Sequence, residues 1–307
     1  MHTSHMKKLS LLNCLLFFSL TINAETFGVI GDAGYWNIHS KSVRDSMIKS
    51  DVKSLIMPGD NLYNTSLEYI DVWSPWLRKG FNFSVVSLGN HYSSIQEELD
   101  FFQMPNNYFY KDIGNVRFII LDSETLTKLD DQRNFLNEAL ASSDKNFNVV
   151  VYHHPMATIS YRHGWKEREA FHLKISPVLK KWSAKINLII NGHDHIASLF
   201  TYDELPVLVS GAVFETRPAP AFSYQRDSGE FVHTSWVNSE GFYWIRLDFD
   251  IESNYIWINF VRTDKEEVSC SILLKDKNIY RKRNCFNNGQ IGVLGKPNYQ
   301  EINSLDN

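Results

Sequence analysis

Five times between residues 31 and 195 an apolar run ends in a short block of carboxylate, amide, phenol or imidazole side chains. The blocks are Gly31-Asp32-Ala33-Gly34, Gly59-Asp60-Asn61-Leu62-Tyr63, Gly89-Asn90-His91, Val150-Val151-Tyr152-His153 and Gly192-His193-Asp194-His195. Gly-Asp and Gly-Asn pairs make ordinary turns when they stand alone. Their recurrence at strand ends is the constraint. In open α/β sheets the carboxyl edge of the strands is where distant residues meet and ligands bind, so the fold must gather these blocks on such an edge.

The intervening sequence has the matching periodicity. Thr26–Ile30, Ser54–Met57 and Phe83–Leu88 read as short buried strands, and Lys41–Lys49 and Leu67–Arg78 as helices, the second interrupted by Pro75. This β-α-β-α-β order predicts parallel strands with right-handed crossovers. Downstream, Val116–Leu121, Phe147–Tyr152, Ile186–Ile190, Ala197–Tyr202 and Val207–Val209 read as strands. Leu129–Ala141 and Glu167–Trp182 read as helices, with Pro177 expected to kink or split the latter. Phe214–Val237 lacks periodicity and reads as loops near the mouth of the site. Gly241–Arg262 alternates as a hairpin, with Tyr243, Ile245, Leu247 and Phe249 on one face and Ile256, Ile258 and Phe260 sharing a face on the return strand. From about Asn287 the chain is Asn/Gly-rich and reads as frayed. Trp36, Trp73, Trp76 and Trp165 are candidates for a substrate mouth, with packing as the alternative fate.

The N-terminus reads as a secretory signal: Lys7 and Lys8, a mostly apolar run Leu9–Ile22, and the small residue Ala24 at the cleavage point. The run is short for a membrane span, so the reading is residues 1–24 removed and no stable membrane insertion afterwards. The mature chain then holds 29 basic against 35 acidic residues, a net charge of −6. That argues against nucleic acid as a partner, and the basic cluster Arg281-Lys282-Arg283 is expected to be a solvated turn. Export also favours a disulfide between the two remaining cysteines, Cys270 and Cys285, over two free buried thiols. With no evident linker, residues 25–307 read as one domain: a motif-bearing part over about 27–212 and a C-terminal β extension over about 213–307.

A dinuclear hydrolytic site needs a bridging carboxylate, further hard ligands and imidazoles. Asp60 suits the bridge and Asp32 a terminal carboxylate. Asn90 offers a neutral amide oxygen, and His153, His193 and His195 are the imidazole donors. His193 and His195 would share a face on a strand but can diverge in a loop.

These blocks resemble the calcineurin-like metallophosphoesterases. Tyr63 in Gly-Asp-Asn-x-Tyr, His153-His154-Pro155 and Ser210-Gly211-Ala212 resemble the small, tartrate-resistant type of purple acid phosphatase. The resemblance implies an α/β fold, a β-sandwich flanked by helices (αββα). It implies Fe(III) held by Asp32, Tyr63 and His195, a divalent metal (iron, zinc or manganese) held by Asn90, His153 and His193, and Asp60 between them. The expected activity is that of an exported acid phosphatase, periplasmic or secreted, acting on small phosphorylated substrates through a metal-bound hydroxide. His91, His163 and His154 are the candidates for protonating or stabilising the leaving group. The chain departs from the superfamily at Tyr92, where an acid usually follows Gly-Asn-His to orient the histidine. Two other readings compete: a phosphodiesterase or nucleotidase using two divalent ions, and a secreted metal-binding or redox protein without hydrolysis. Tyr63 favours the phosphatase, because the diesterase branches usually lack that phenolate.

Overall fold

The computed structural model describes residues 24–160, 165–219, 224–225, 229, 231–238, 240–286 and 299–301. Along the chain the elements are β1 (Ala24–Val29), α1 (Ile38–Lys49), β2 (Ser54–Pro58), α2 (Tyr69–Leu77), β3 (Asn82–Ser87), α3 (Ile95–Phe102), β4 (Phe109–Ile113), β5 (Val116–Ile120), α4 (Leu129–Ala141) and β6 (Phe147–Val151). There follow α5 (Glu169–Lys181), β7 (Leu188–Asn191), β8 (Ala197–Tyr202), β9 (Leu205–Ser210), β10 (Tyr224–Gln225), β11 (Phe231–Asn238), β12 (Tyr243–Asp250), β13 (Tyr255–Arg262), β14 (Glu267–Lys275), β15 (Asn278–Arg281) and β16 (Tyr299–Glu301).

The strands form two eight-stranded sheets, ordered β16-β15-β14-β13-β12-β1-β2-β3 and β10-β11-β8-β9-β7-β6-β5-β4. Period-two alternation builds the layers. Phe118, Ile120, Val149, Val151, Leu188 and Ile190 turn inward onto Phe27, Val29, Ile56, Ile245, Leu247 and Phe249 of the other sheet. Their neighbours Ile119, Val150 and Ile189 face outward onto Leu136 and Leu140 of α4 and Phe171, Ile175 and Leu179 of α5. The outer face of the first sheet is covered from α1 by Val43 and Met47 and from α2 by Val72, Trp73 and Trp76. The result is the expected αββα sandwich.

Several expectations are corrected. Phe214–Val237 is not all loop, because β11 pairs antiparallel with β8. The hairpin of β12 and β13 places its predicted faces in the inter-sheet core, as expected. β12 pairs antiparallel with β1 over Ala24↔Asp250 to Val29↔Ile245, so the C-terminal strands β12 to β16 supply five of the eight described strands of the first sheet. Pro75 lies inside α2 and Pro177 inside α5, and neither divides its helix. Helix α3 and strand β4 had no counterpart in the sequence reading; α3 is capped by Ser94, whose side chain accepts from the Glu97 N–H. Arg281 is buried and donates to the Ser235 carbonyl at 2.9 Å, so its cluster is not simply a solvated turn. Tyr299–Glu301 pairs with β15, while most of the tail read as frayed lies outside the described residues. Trp73 and Trp76 are wholly buried, and Trp36 and Trp165 pack against the outer clusters. Cys270 and Cys285 are joined as a disulfide.

Candidate metal centre

Three blocks follow β1, β2 and β3 of one sheet and two follow β6 and β7 of the other, so the site lies where the carboxyl ends of both parallel segments meet. The turns are tightly knitted. The Asp32 N–H donates to the Gly59 carbonyl at 3.1 Å, Gly34 N–H to the Asp60 carbonyl at 3.0 Å, and Tyr63 N–H to the Gly34 carbonyl at 2.9 Å. Asp32, Asp60 and His193 all take the left-handed backbone conformation, with φ of 54°, 56° and 68°, which turns the chain sharply off each strand end. Gly89 has no room for a side chain: a Cβ there would collide with the backbone nitrogen and Oδ1 of Asp60.

Two polar pockets share Asp60. In the first, the Tyr63 hydroxyl lies 3.0 Å from Asp32 Oδ1, 2.9 Å from Asp60 Oδ2 and 3.0 Å from His195 Nε2. One phenolic proton cannot serve both carboxylates. Burial, and then the charges of Asp32 and Asp60, push the Tyr63 phenol far above its ordinary value. It can become a phenolate here only if a cation offsets these carboxylates. In the second pocket, His153 Nε2 lies 3.1 Å from Asn90 Oδ1, 3.2 Å from Asp60 Oδ1 and 3.2 Å from His193 Nδ1. The other nitrogen, Nδ1, donates to the Pro58 carbonyl at 2.8 Å. Burial opposes charging this imidazole, but Asp60 outweighs it and raises its pKa to about 9. The same contact holds Asp60 well below the usual carboxylate range, against its own burial. Without metal, a proton on His153 thus supplies positive charge where a ring of acceptors converges. The donor sets of both pockets fit metal cations: hard anionic oxygens in the first, an amide oxygen and two imidazoles in the second, and one carboxylate oxygen toward each.

All seven sequence-predicted ligands are therefore brought together, and His193 and His195 diverge to different pockets. His91 sits at the rim, its side chain 46% exposed and its Nε2 4.0 Å from Asp60 Oδ2. Tyr92 stands where an acid was expected; the described contacts of His91 are its backbone N–H, which donates to Asp60 Oδ1 at 2.9 Å, and its ring, which lies 4.4 Å from that of Tyr63. His154 is buried beside the second pocket, its ring centroid 4.3 Å from that of His193. Its backbone N–H donates to Ser123 Oγ at 3.1 Å, and its Nδ1 lies 2.9 Å from the same hydroxyl, which can donate to it and leave the ring proton on Nε2. Burial, reinforced by His153 and His193, holds its pKa well below the ordinary value. His163 lies outside the described residues.

The sequence reading missed the outer contacts. Glu167 Oε2 lies 3.0 Å from His193 Nε2, and Glu215 Oε2 lies 3.1 Å from His195 Nδ1. Asp194 accepts from the hydroxyls of Thr158 and Ser160. Beneath the Asp60 turn, Glu98 is fully buried, accepting from Asn61 Nδ2 at 2.7 Å and the Tyr69 hydroxyl at 3.1 Å. Asp194 lies inside the Gly192–His195 block, but no local motif marks Glu167, Glu215 or Glu98; only the tertiary fold brings them to the site.

Among solved structures, the chain is similar to the GAP50 anchor in the inner membrane complex of Plasmodium, at 17% identity and a TM-score of 0.62, covering 91% of this chain and 92% of that one. It is similar to the purple acid phosphatase PPD1 from yellow lupin (Lupinus luteus) seeds, at 14% identity and a TM-score of 0.62, over 83% of this chain and 55% of that one. It is also similar to PhoD, at 11% identity and a TM-score of 0.55, over 91% and 74%. At such identities these likenesses speak to the fold. No curated protein matches the chain closely enough to count as a relative. The sequence pattern of the calcineurin-like phosphoesterases, however, matches residues 26–197, more than half of the chain and a span holding all seven converging side chains, so the protein belongs to the calcineurin-like phosphoesterase family.

Proposed function

We propose that this protein is an exported acid phosphatase that hydrolyses phosphomonoesters at a dinuclear centre, with Fe(III) in the first pocket and divalent iron, zinc or manganese in the second. The observation that carries this reading is the Tyr63 hydroxyl, within 3.0 Å of Asp32, Asp60 and His195. A phenolate beside two carboxylates is a hard, anionic set suited to a trivalent ion. Asp32, Tyr63 and His195 would hold the ferric ion, Asn90, His153 and His193 the divalent one, with Asp60 between. When bound, the metals supply Lewis acidity, which acidifies a water and offsets charge on the phosphate.

The chain's own residues supply the rest. His154, kept neutral with its proton on Nε2, donates a hydrogen bond to a phosphoryl oxygen. His91, exposed at the rim and steadied by Asp60 and the Tyr63 ring, delivers a proton to the leaving oxygen. His163 is assigned the same neighbourhood on the strength of the family resemblance. The Cys270–Cys285 disulfide supports an oxidising compartment, periplasmic or extracellular. Among the described residues no helix is long and apolar enough to cross a membrane.

Hydrolysis of an aryl phosphate monoester, compared with the matching diester at acidic pH, tests the reading. Preference for the monoester is expected. Preference for the diester would move the assignment to a phosphodiesterase on the same scaffold, and hydrolysis of neither by metal-loaded protein would favour a non-hydrolytic metal protein.

A further inference from the structure

We propose that Glu167 is a positioning residue that fixes His193 for the second metal and supplies the outer negative charge that pocket lacks; this rests on the dinuclear reading above. The two pockets differ in charge. Asp32 and Tyr63 add anionic oxygens to the first beyond the shared Asp60. Among the described residues the second has only Asp60, beside the neutral donors Asn90, His153 and His193. Glu167 is the carboxylate that redresses this difference. Its Oε2 accepts from His193 Nε2 at 3.0 Å, which fixes the proton on that nitrogen and aims the Nδ1 lone pair at the pocket, 3.2 Å from His153 Nε2.

The surroundings show that this contact is held from several sides. The His193 N–H donates to Asp32 Oδ2 at 2.8 Å, so its backbone is already fixed and ring rotation is the freedom left to Glu167. Glu167 itself lies in a short helical turn, Trp165–Arg168. Arg168 ties one end of that turn to the Glu124 carboxylate, and Trp165 packs on the buried His172 ring at 4.8 Å. The other ligand imidazoles are backed differently. His153 has the neutral Pro58 carbonyl behind it. His195 has Glu215 at 3.1 Å, but that contact lacks hydrogen-bond alignment, and Glu215 is half exposed and also faces Arg217 at 3.6 Å. A carboxylate hydrogen-bonded behind a metal-binding imidazole raises its basicity, and its loss typically lowers metal affinity about 10–100-fold.

The test is zinc titration of the full protein carrying iron in the first pocket, with a competing chelator, for wild type, Glu167→Gln, Glu167→Ala and Glu215→Gln. Visible absorption and thermal unfolding are read on the same samples. Both Glu167 variants should bind zinc about 10–100-fold more weakly, keep the visible band and unfold as wild type does, while Glu215→Gln should bind zinc normally. Zinc binding unchanged in Glu167→Gln, with a wild type that holds both metals, would overturn this inference alone. A joint loss of zinc, visible band and thermal stability would also overturn it, by showing a structural role instead. A wild type that holds no metal would overturn the dinuclear reading and the inference with it.

Discussion

The pairing of Asp60 with His153 makes a quantitative prediction about the metal-free protein. Both side chains are buried and their atoms stand 3.2 Å apart. The pair lifts His153 from 6.5 to about 9. At about 1.4 kcal/mol per pH unit, that rise is worth at most about 3 kcal/mol of stability. The sign follows from the raised value. The folded protein holds the proton more tightly than the unfolded chain, so the contribution is complete below pH 6.5 and is lost as pH rises through about 9. Asp60→Asn removes the charge that retains the proton and should abolish this part of the pH dependence. The assay is urea unfolding of chelator-stripped protein at a series of pH values across this window. Wild type should lose up to about 3 kcal/mol more than the variant over the window. Metal-loaded wild type should not show the loss, because a cation replaces the proton on His153. Equal slopes for stripped wild type and Asp60→Asn would refute the argument that His153 carries the charge for this ring of acceptors.

Burial lifts Glu98 from 4.5 to about 7, against the pull of its bonds to Asn61 and Tyr69. Its contribution, at most about 3 kcal/mol, is therefore present below pH 4.5 and lost as pH rises through about 7; Glu98→Gln should flatten unfolding free energy across that range. His91→Ala should lower kcat on an aryl phosphate by about 10²–10⁴-fold while metal content stays at the wild-type level, as metal analysis beside steady-state kinetics will register. Replacing Cys270 and Cys285 by Ser opens a loop with a sequence separation of 15. Denaturant titration should then show a loss of about 3 kcal/mol with the metal site intact.

The pockets were legible in the sequence because each candidate ligand follows a strand end, where apolar runs and turn residues are both visible. Leu129–Ala141 and Ala197–Tyr202 were readable to the residue: the helix carries its period on one buried face, and the strand is a short apolar run buried on both faces. What was hidden depends on distance along the chain. Nothing in Tyr243–Asp250 says that it will insert beside Ala24–Val29, since that pairing joins residues more than two hundred positions apart and any alternating strand presents the same pattern. Phe231–Asn238 was obscured by a register shift between Thr234 and Trp236, which breaks the alternation that marks a strand. Glu167, Glu215 and Glu98 look like surface carboxylates until the fold puts an imidazole or an amide against each.

The most direct test of the account is a visible absorption spectrum of the purified, mildly oxidised protein, with metal content measured on the same sample. The account predicts two metals per chain, one of them iron, and a broad visible band that disappears in Tyr63→Phe. A colourless protein holding two other metals would contradict the Fe(III)–phenolate assignment, and a protein that cannot be loaded with metal would contradict the dinuclear centre itself.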